Sequence, residues 1–337
     1  MLLDGSVRWQ NQLNQHNLPF FQQNGDSYSD AVFINYWWRA DMVKSSAKLA
    51  RQVKRSPYDL YFGADLSPER NAQRIFQRSD WLSWLFTDNG GQARTSLALF
   101  GNDVNFTFQG NEHTPALSQF KTDKLDYKRF YAAETQLFSG LDGNLAQQDI
   151  NGQWPGIGRY LPPKSGLTQL PFSTNFNTGH GLIKAKQGHQ VEQEWHDIAQ
   201  QDPLPTWQFS IFGSEQLEVF YDFQQAFNGG SSLALVSDSP VQQARVPLYQ
   251  SKFLLRQQSE LAISFKHQQS TKAVSLSLTM ADGTKLDYPL VAASTEWTTL
   301  RFDLSKFQGE TISQIGIRVA DHTSERLNTN IGQIGIR

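Results

Sequence analysis

The residues best able to do chemistry gather where short apolar runs end. AVFINYWW, Ala31 to Trp38, closes on Asn35, Trp37 and Trp38 with Arg39 next; YDLYFGADL, Tyr58 to Leu66, closes near Asp65; TSLALFGND, Thr95 to Asp103, closes on Asn102 and Asp103. Trp9 adds an indole beside Gln10, Asn11 and Gln12 near the N-terminus. Indole faces beside amides and carboxylates suit a sugar, because pyranose C–H faces pack on an aromatic plane and the hydroxyls bond to Asn, Gln and Asp. Trp37 and Trp38 keep a second reading. Successive strand residues point to opposite faces, so one ring can turn inward and the other lie under a helix. Asn35 and Tyr36 are equally well read as structural. His196 has carboxylates nearby in EQEWHD, but no second His sits at metal-ligand spacing on its face, so neither a metal site nor a cofactor is expected.

The elements that must hold these groups follow from periodicity. The apolar runs at 31–38, 58–66 and 95–103 read as buried strands. DMVKSSAKLARQVKR, Asp41 to Arg55, places Val43, Ala47, Leu49, Ala50 and Val53 near helical spacing, and Ser67–Pro68 offers a capped entry to a second helix running to Leu85. Repeated strand–helix units with near-continuous apolar strands predict a parallel sheet covered on its faces. Ligands of such folds bind at the C-terminal ends of the strands, where Asn35, Trp37, Trp38, Asp65 and Asn102 fall. Between about 110 and 170, Gly, Pro and Asn are scattered, and only YKRFYAAETQLF, Tyr127 to Phe138, reads as a helix. After Trp207 the period changes to two. LAISFKH, VSLSLTM, TLRFDL, QIGIRVA and the closing IGQIGIR are short strands separated by turns, which predicts an antiparallel β-sandwich. Asn228, Gly229 and Gly230 read as a tight turn, and His180 as a loop residue between two glycines.

Composition narrows the function classes. The chain has 337 residues, a formal net charge of −2, no cysteine, 12% aromatic residues and nine Trp. Such a balance has no basic excess, so nucleic-acid and anionic-membrane partners are not expected, and disulfides are excluded. No stretch has the run of about 18 apolar residues that a membrane span needs. The aromatic content fits a glycan platform, and it equally fits a large core.

Six ordered stretches carry a resemblance: WQNQLNQHNLPFF, FINYWW, YDLYFGADL, LPFSTNFNTGHG, DPLPTW and AFNGGSSL. In this order the chain resembles glycoside hydrolase family 85, from Trp9 to the sandwich. The resemblance implies a TIM (β/α)8 barrel followed by β-sandwich domains, and an endo-β-N-acetylglucosaminidase that cuts the GlcNAc-β1,4-GlcNAc core bond of N-linked glycans with retention. It implies a substrate-assisted route, one of the exceptions to the two-carboxylate scheme. The sugar's own 2-acetamido oxygen attacks the anomeric carbon, a Glu protonates the leaving oxygen, and an Asn two residues earlier orients the amide. Trp9 matches a family Trp on the acceptor side, and Trp37 or Trp38 the aromatic pair at the end of the sixth strand. These would govern whether water or a GlcNAc acceptor reaches the oxazoline.

No Asn-x-Glu occurs in the sequence. By the family's order that pair falls upstream of Met1, so no catalytic residue is expected in this chain and, alone, it is expected to be inactive. The expected fold is therefore α/β plus all-β: about the last three βα units of a partial TIM barrel over 1–165, then a jelly-roll-like antiparallel sandwich over 166–337. Substrate-binding candidates are Trp9, Asn35, Trp37, Trp38, Asp65 and Asn102. The expected partners are an N-linked glycan or glycoprotein and a complementary N-terminal barrel fragment. The alternative function is a non-catalytic glycan-binding or bracing module. Without a signal peptide the chain reads as cytoplasmic, while a longer protein containing it could be secreted.

Overall fold

The computed structural model describes residues 11–65, 80–86, 92–100, 127–140, 143, 155–161, 164–207, 209–269, 271–292, 294–323 and 326–337. The chain divides into two compact units, 1–122 with 148–160, and 123–147 with 161–337. The division differs from a boundary at 165, because the helix near 130 belongs to the second unit.

In the first unit, strands β1 (Gln22–Gln23) and β2 (Asp26–Ser27) form a small hairpin. They precede β3 (Val32–Ile34), α1 (Ala40–Gln52), β4 (Leu60–Asp65), α2 (Asp80–Trp84) and β5 (Ser96–Phe100). The three longer strands form a parallel sheet in the order β3-β4-β5, with Ile34 opposite Phe62 and Asp65 opposite Phe100. α1 forms where the spacing predicts a helix, and it buries Val43, Ser46, Ala47 and Ala50. Ile34, Leu60, Phe62 and Ala64 share one sheet face and are fully buried. Arg55 ties the segment before β3 to the loop after α1. Its guanidinium donates to the carbonyls of Phe21 (2.9 Å), Ser29 (3.0 Å) and Asp30 (2.8 Å), and pairs with Asp59 at 3.1 Å.

Two expectations change here. The strand expected over 31–38 ends at Ile34, because Trp37 takes φ +70°, outside the β region. Of the helix expected over 67–85, only 80–85 lies within the described residues, and there Asp80–Trp84 is helical.

The second unit opens with α3 (Tyr127–Ser139) and continues with β6 (Phe172–Thr174), β7 (His180–Lys186) and β8 (His189–His196). β7 and β8 form a hairpin on a two-residue turn at Gln187 (φ +52°) and Gly188 (φ +82°), the paired positive-φ geometry that matches strand twist. His180 is therefore the first residue of a strand rather than a loop residue. Then follow β9 (Glu218–Asp222), β10 (Ser232–Ser237), β11 (Val241–Leu254), β12 (Glu260–His267), β13 (Val274–Met280), β14 (Lys285–Pro289), β15 (Thr298–Asp303), β16 (Thr311–His322) and β17 (Leu327–Ile336). One antiparallel sheet runs β15-β12-β17-β10-β9, with β6 also on β17, and a second runs β11-β16-β13-β14. Leu233, Ile263, Phe265 and Ile331 of the first sheet join Val246, Leu276, Ile315 and Ile317 of the second in one buried core. The period of two anticipates this, since alternate residues share the buried face. β6 and β10 occupy one edge of β17 in succession: β10 pairs with Leu327–Ile331 and β6 with Ile334–Ile336.

Candidate functional site

The ends of the parallel strands carry three of the candidate residues, Asn35, Trp37 and Asp65. On one face of the sheet, register aligns Phe33 with Tyr61, Gly63 with Ala98, and Asp65 with Phe100. Phe33, Tyr61 and Phe100 are 48%, 42% and 46% exposed, while Asp65 is buried. Tyr36 bridges this group, its ring centroid 6.0 Å from Phe33 and 5.9 Å from Phe100. The Asn35 side chain accepts from the Tyr36 N–H at 2.8 Å, which steers the backbone out of the strand. Trp37 follows, 60% exposed and in the left-handed region at φ +70°. A bulky residue there costs about 1–3 kcal/mol, and such strain concentrates at functional sites.

Trp38 goes the other way. It is 3% exposed, its indole N–H donates to the Gly63 carbonyl at 2.7 Å, and its ring packs edge-on against Phe62 (5.4 Å), Trp81 (5.8 Å) and Trp84 (6.2 Å). Its place is in the packing beneath the sheet, not on a sugar-facing surface, which corrects the expectation that both indoles serve as binding residues. Trp9 and Asn102 lie outside the described residues. Tyr36 was the residue least marked by the sequence, since only the turn after Ile34 brings its ring between Phe33 and Phe100.

Stretches that look like site motifs meet in the second unit as architecture. Asn177 Oδ1 accepts from the Gly179 and Gly230 N–H groups (3.2 and 3.1 Å), and its amide donates to the Gln200 carbonyl at 2.7 Å. Asp202 Oδ2 accepts from the Asn175 and Asn177 N–H groups at 2.7 and 3.2 Å. Asn175 Oδ1 in turn accepts from Asn228 (3.0 Å) and Gln333 (3.2 Å). LPFSTNFNTGHG, DPLPTW and AFNGGSSL are thus tied through side-chain amides and one carboxylate. Gly230 must be glycine, because a Cβ there would collide with the His180 backbone and the Trp195 indole.

A second cluster has the residue types of a site but the geometry of a core. The His180 ring stacks on Phe223 (5.7 Å, 6° between planes) and Tyr131 (5.7 Å, 19°), with Tyr127 at 4.5 Å. His196, paired with His180 across the hairpin, lies 3.3 Å from Glu194. Burial, and then the nearby His196, push the His180 pKa down to about 4, so the ring is neutral at neutral pH. Burial raises the Tyr131 and Glu134 pKa values. Among the described residues no group of three or more His, Asp or Glu could hold a metal ion.

Comparison with known proteins gives this geometry a family. The sequence model of glycosyl hydrolase family 85 matches residues 1–183. The chain is 26% identical over 235 residues to cytosolic endo-beta-N-acetylglucosaminidase 1 of Arabidopsis thaliana, covering 69% of this chain and 28% of that protein. It is 27% identical over 251 residues to the cytosolic endo-beta-N-acetylglucosaminidase of Gallus gallus, covering 74% of this chain and 28% of that protein. The chain thus spans between a quarter and a third of the length of these relatives. In structure it matches the glycoside hydrolase domain of Endo-D from Streptococcus pneumoniae with a TM-score of 0.78 and 24% identity, over 98% of this chain and 50% of that one. With the family model matching more than half of its residues, the chain belongs to glycosyl hydrolase family 85.

Proposed function

We propose that this chain is part of an endo-β-N-acetylglucosaminidase acting on the GlcNAc-β1,4-GlcNAc core of N-linked glycans. In this reading its three parallel strands form part of a barrel mouth, and residues 166–337 form the sandwich that follows. The observation that carries the reading is Trp37, which is exposed and held at φ +70° at the end of a parallel strand, next to Asn35 and Tyr36 and near the end of β4 that bears Asp65. An exposed indole on a strained backbone adds little to the fold for its size, but it offers a sugar a rigid apolar plane. Trp9 and Asn102 join this set by their positions in the sequence.

The general acid and its Asn partner come from outside these 337 residues, since the sequence holds no Asn-x-Glu. This chain therefore shapes the acceptor side of the site, while a complementary barrel segment supplies proton transfer and orients the acetamido group. Incubation with a high-mannose glycopeptide, followed by mass spectrometry, tests this. The chain alone should release no glycan; addition of a polypeptide carrying the Asn-x-Glu half should restore release, and Trp37→Ala should weaken it. Glycan release by the chain alone would refute the division of labour. Binding without release in either arrangement would make the chain a glycan-binding module.

A further inference from the structure

The outer face of the β11-β16-β13-β14 sheet carries a cavity of about 210 Å3, separate from the strand-end residues and contained within the second unit. Register builds its floor. Gly316 of β16 lies between Pro247 of β11 and Ser277 of β13, and Thr279 lies between Gln314 and Lys285. Gly316 keeps the floor flat, because a Cβ there would stand 2.7 Å from the Val246 carbonyl oxygen. Trp207 and Phe212 form a wall, and Phe212 is fixed by two backbone hydrogen bonds of 2.9 Å with Arg245. One side of the cavity is thus aromatic, and the floor and opposite side offer the hydroxyls of Ser277 and Thr279 and the amide of Gln314.

The charges on this face are unbalanced. Arg245 stands directly opposite Arg318 in the sheet, an arrangement of like charges that costs stability. Arg318 has Asp287 at 3.5 Å, whereas among the described residues neither Arg245 nor Lys285 has a carboxylate partner. Both line the cavity. A carboxylate beside Arg245 would offset its repulsion from Arg318 and accept charge-assisted hydrogen bonds. The volume, at roughly 30 Å3 per water, equals about seven waters, which suits one sugar residue rather than an extended chain.

We infer that this cavity binds a saccharide residue bearing a carboxylate, its ring against Trp207, its hydroxyls on Ser277, Thr279 and Gln314, and its charge on Arg245. The site does not depend on the strand-end reading, and it would give the protein a second point of recognition on an acidic glycan. The probes are the α-methyl glycoside of N-acetylneuraminic acid, glucuronate, methyl N-acetylglucosaminide and inorganic phosphate, each titrated into the isotope-labelled full chain. Amide resonances of Ser277 and Gly316 and the Trp207 indole signal are followed.

The carboxylated sugars should give saturable shifts with a Kd of about 1 mM. Arg245→Gln should weaken binding by about tenfold, and Lys285→Gln, at the far corner of the floor, should weaken it less. Ser277→Leu, which fills the floor but keeps both cations, should abolish it, while Trp37→Ala should leave it unchanged. Absence of shifts with both carboxylated sugars would overturn the inference. So would equal shifts with the neutral sugar, phosphate binding as tightly as the sugars, or retained binding in a folded Ser277→Leu chain.

Discussion

Trp37 and Trp38 are neighbours in sequence, yet truncating them should have opposite consequences. Trp38→Ala removes an indole that is 3% exposed, at a cost of about 3–5 kcal/mol for a buried aromatic. It also strips the Gly63 carbonyl of its donor at 2.7 Å, adding about 1–3 kcal/mol. Trp37→Gly is different. That side chain is 60% exposed, so only about 100 Å2 of a large indole's area is lost from contact, worth about 2.5 kcal/mol. Glycine relieves the left-handed backbone at φ +70° by about 1–2 kcal/mol and gives back about 0.4–1 kcal/mol through the freer unfolded chain. The net cost is about 1–2.5 kcal/mol, several-fold below that of its neighbour. Urea unfolding followed by amide exchange in α1 measures stability, and calorimetry with a high-mannose glycopeptide, in the presence of the complementary segment, measures binding. Trp37→Gly should leave the unit folded and lose the glycan. The reasoning fails if Trp38→Ala costs less than about 1 kcal/mol, or if Trp37→Gly costs more than about 4 kcal/mol.

His180 makes stability depend on pH. Its folded pKa of about 4 lies below its ordinary 6.5, so the folded chain binds fewer protons than the unfolded chain between these values. Its stabilising contribution is complete above about pH 6.5, falls as pH drops through the window, and levels off below about 4; Tm measured against pH should show this, and His180→Phe should flatten it. Tyr249→Phe should cost about 1–3 kcal/mol in denaturant unfolding, because the buried hydroxyl lies 2.9 Å from the Pro203 carbonyl and 3.1 Å from the Thr174 hydroxyl. An unchanged midpoint would show those groups to be satisfied otherwise. Arg55→Lys should cost about 2–3 kcal/mol and speed amide exchange over 21–30, since an ammonium cannot replace the fork that reaches three carbonyls and Asp59 at once.

The local elements were legible in the residues alone. The spacing of Val43, Ala47 and Ala50 specifies a helix with one apolar face, and the period of two after Trp207 specifies strands, because both follow from fixed backbone repeat lengths. The order of six motifs placed the chain in its family. β11 was less legible, since Pro247 interrupts its pattern, and the β7–β8 hairpin was hidden by its polar residues. Other features arise only when the chain folds. Two adjacent tryptophans in one run carry the same local signal, and only the turn at Trp37 and the Gly63 carbonyl send one outward and the other inward. α3 joins the second unit, Asn175 meets Gln333 across 158 residues, and Arg245 faces Arg318 across a strand pair. Periodicity records which side of an element is apolar, but it holds no information about which distant element will cover that side; that choice is made when the strands pair and the core closes.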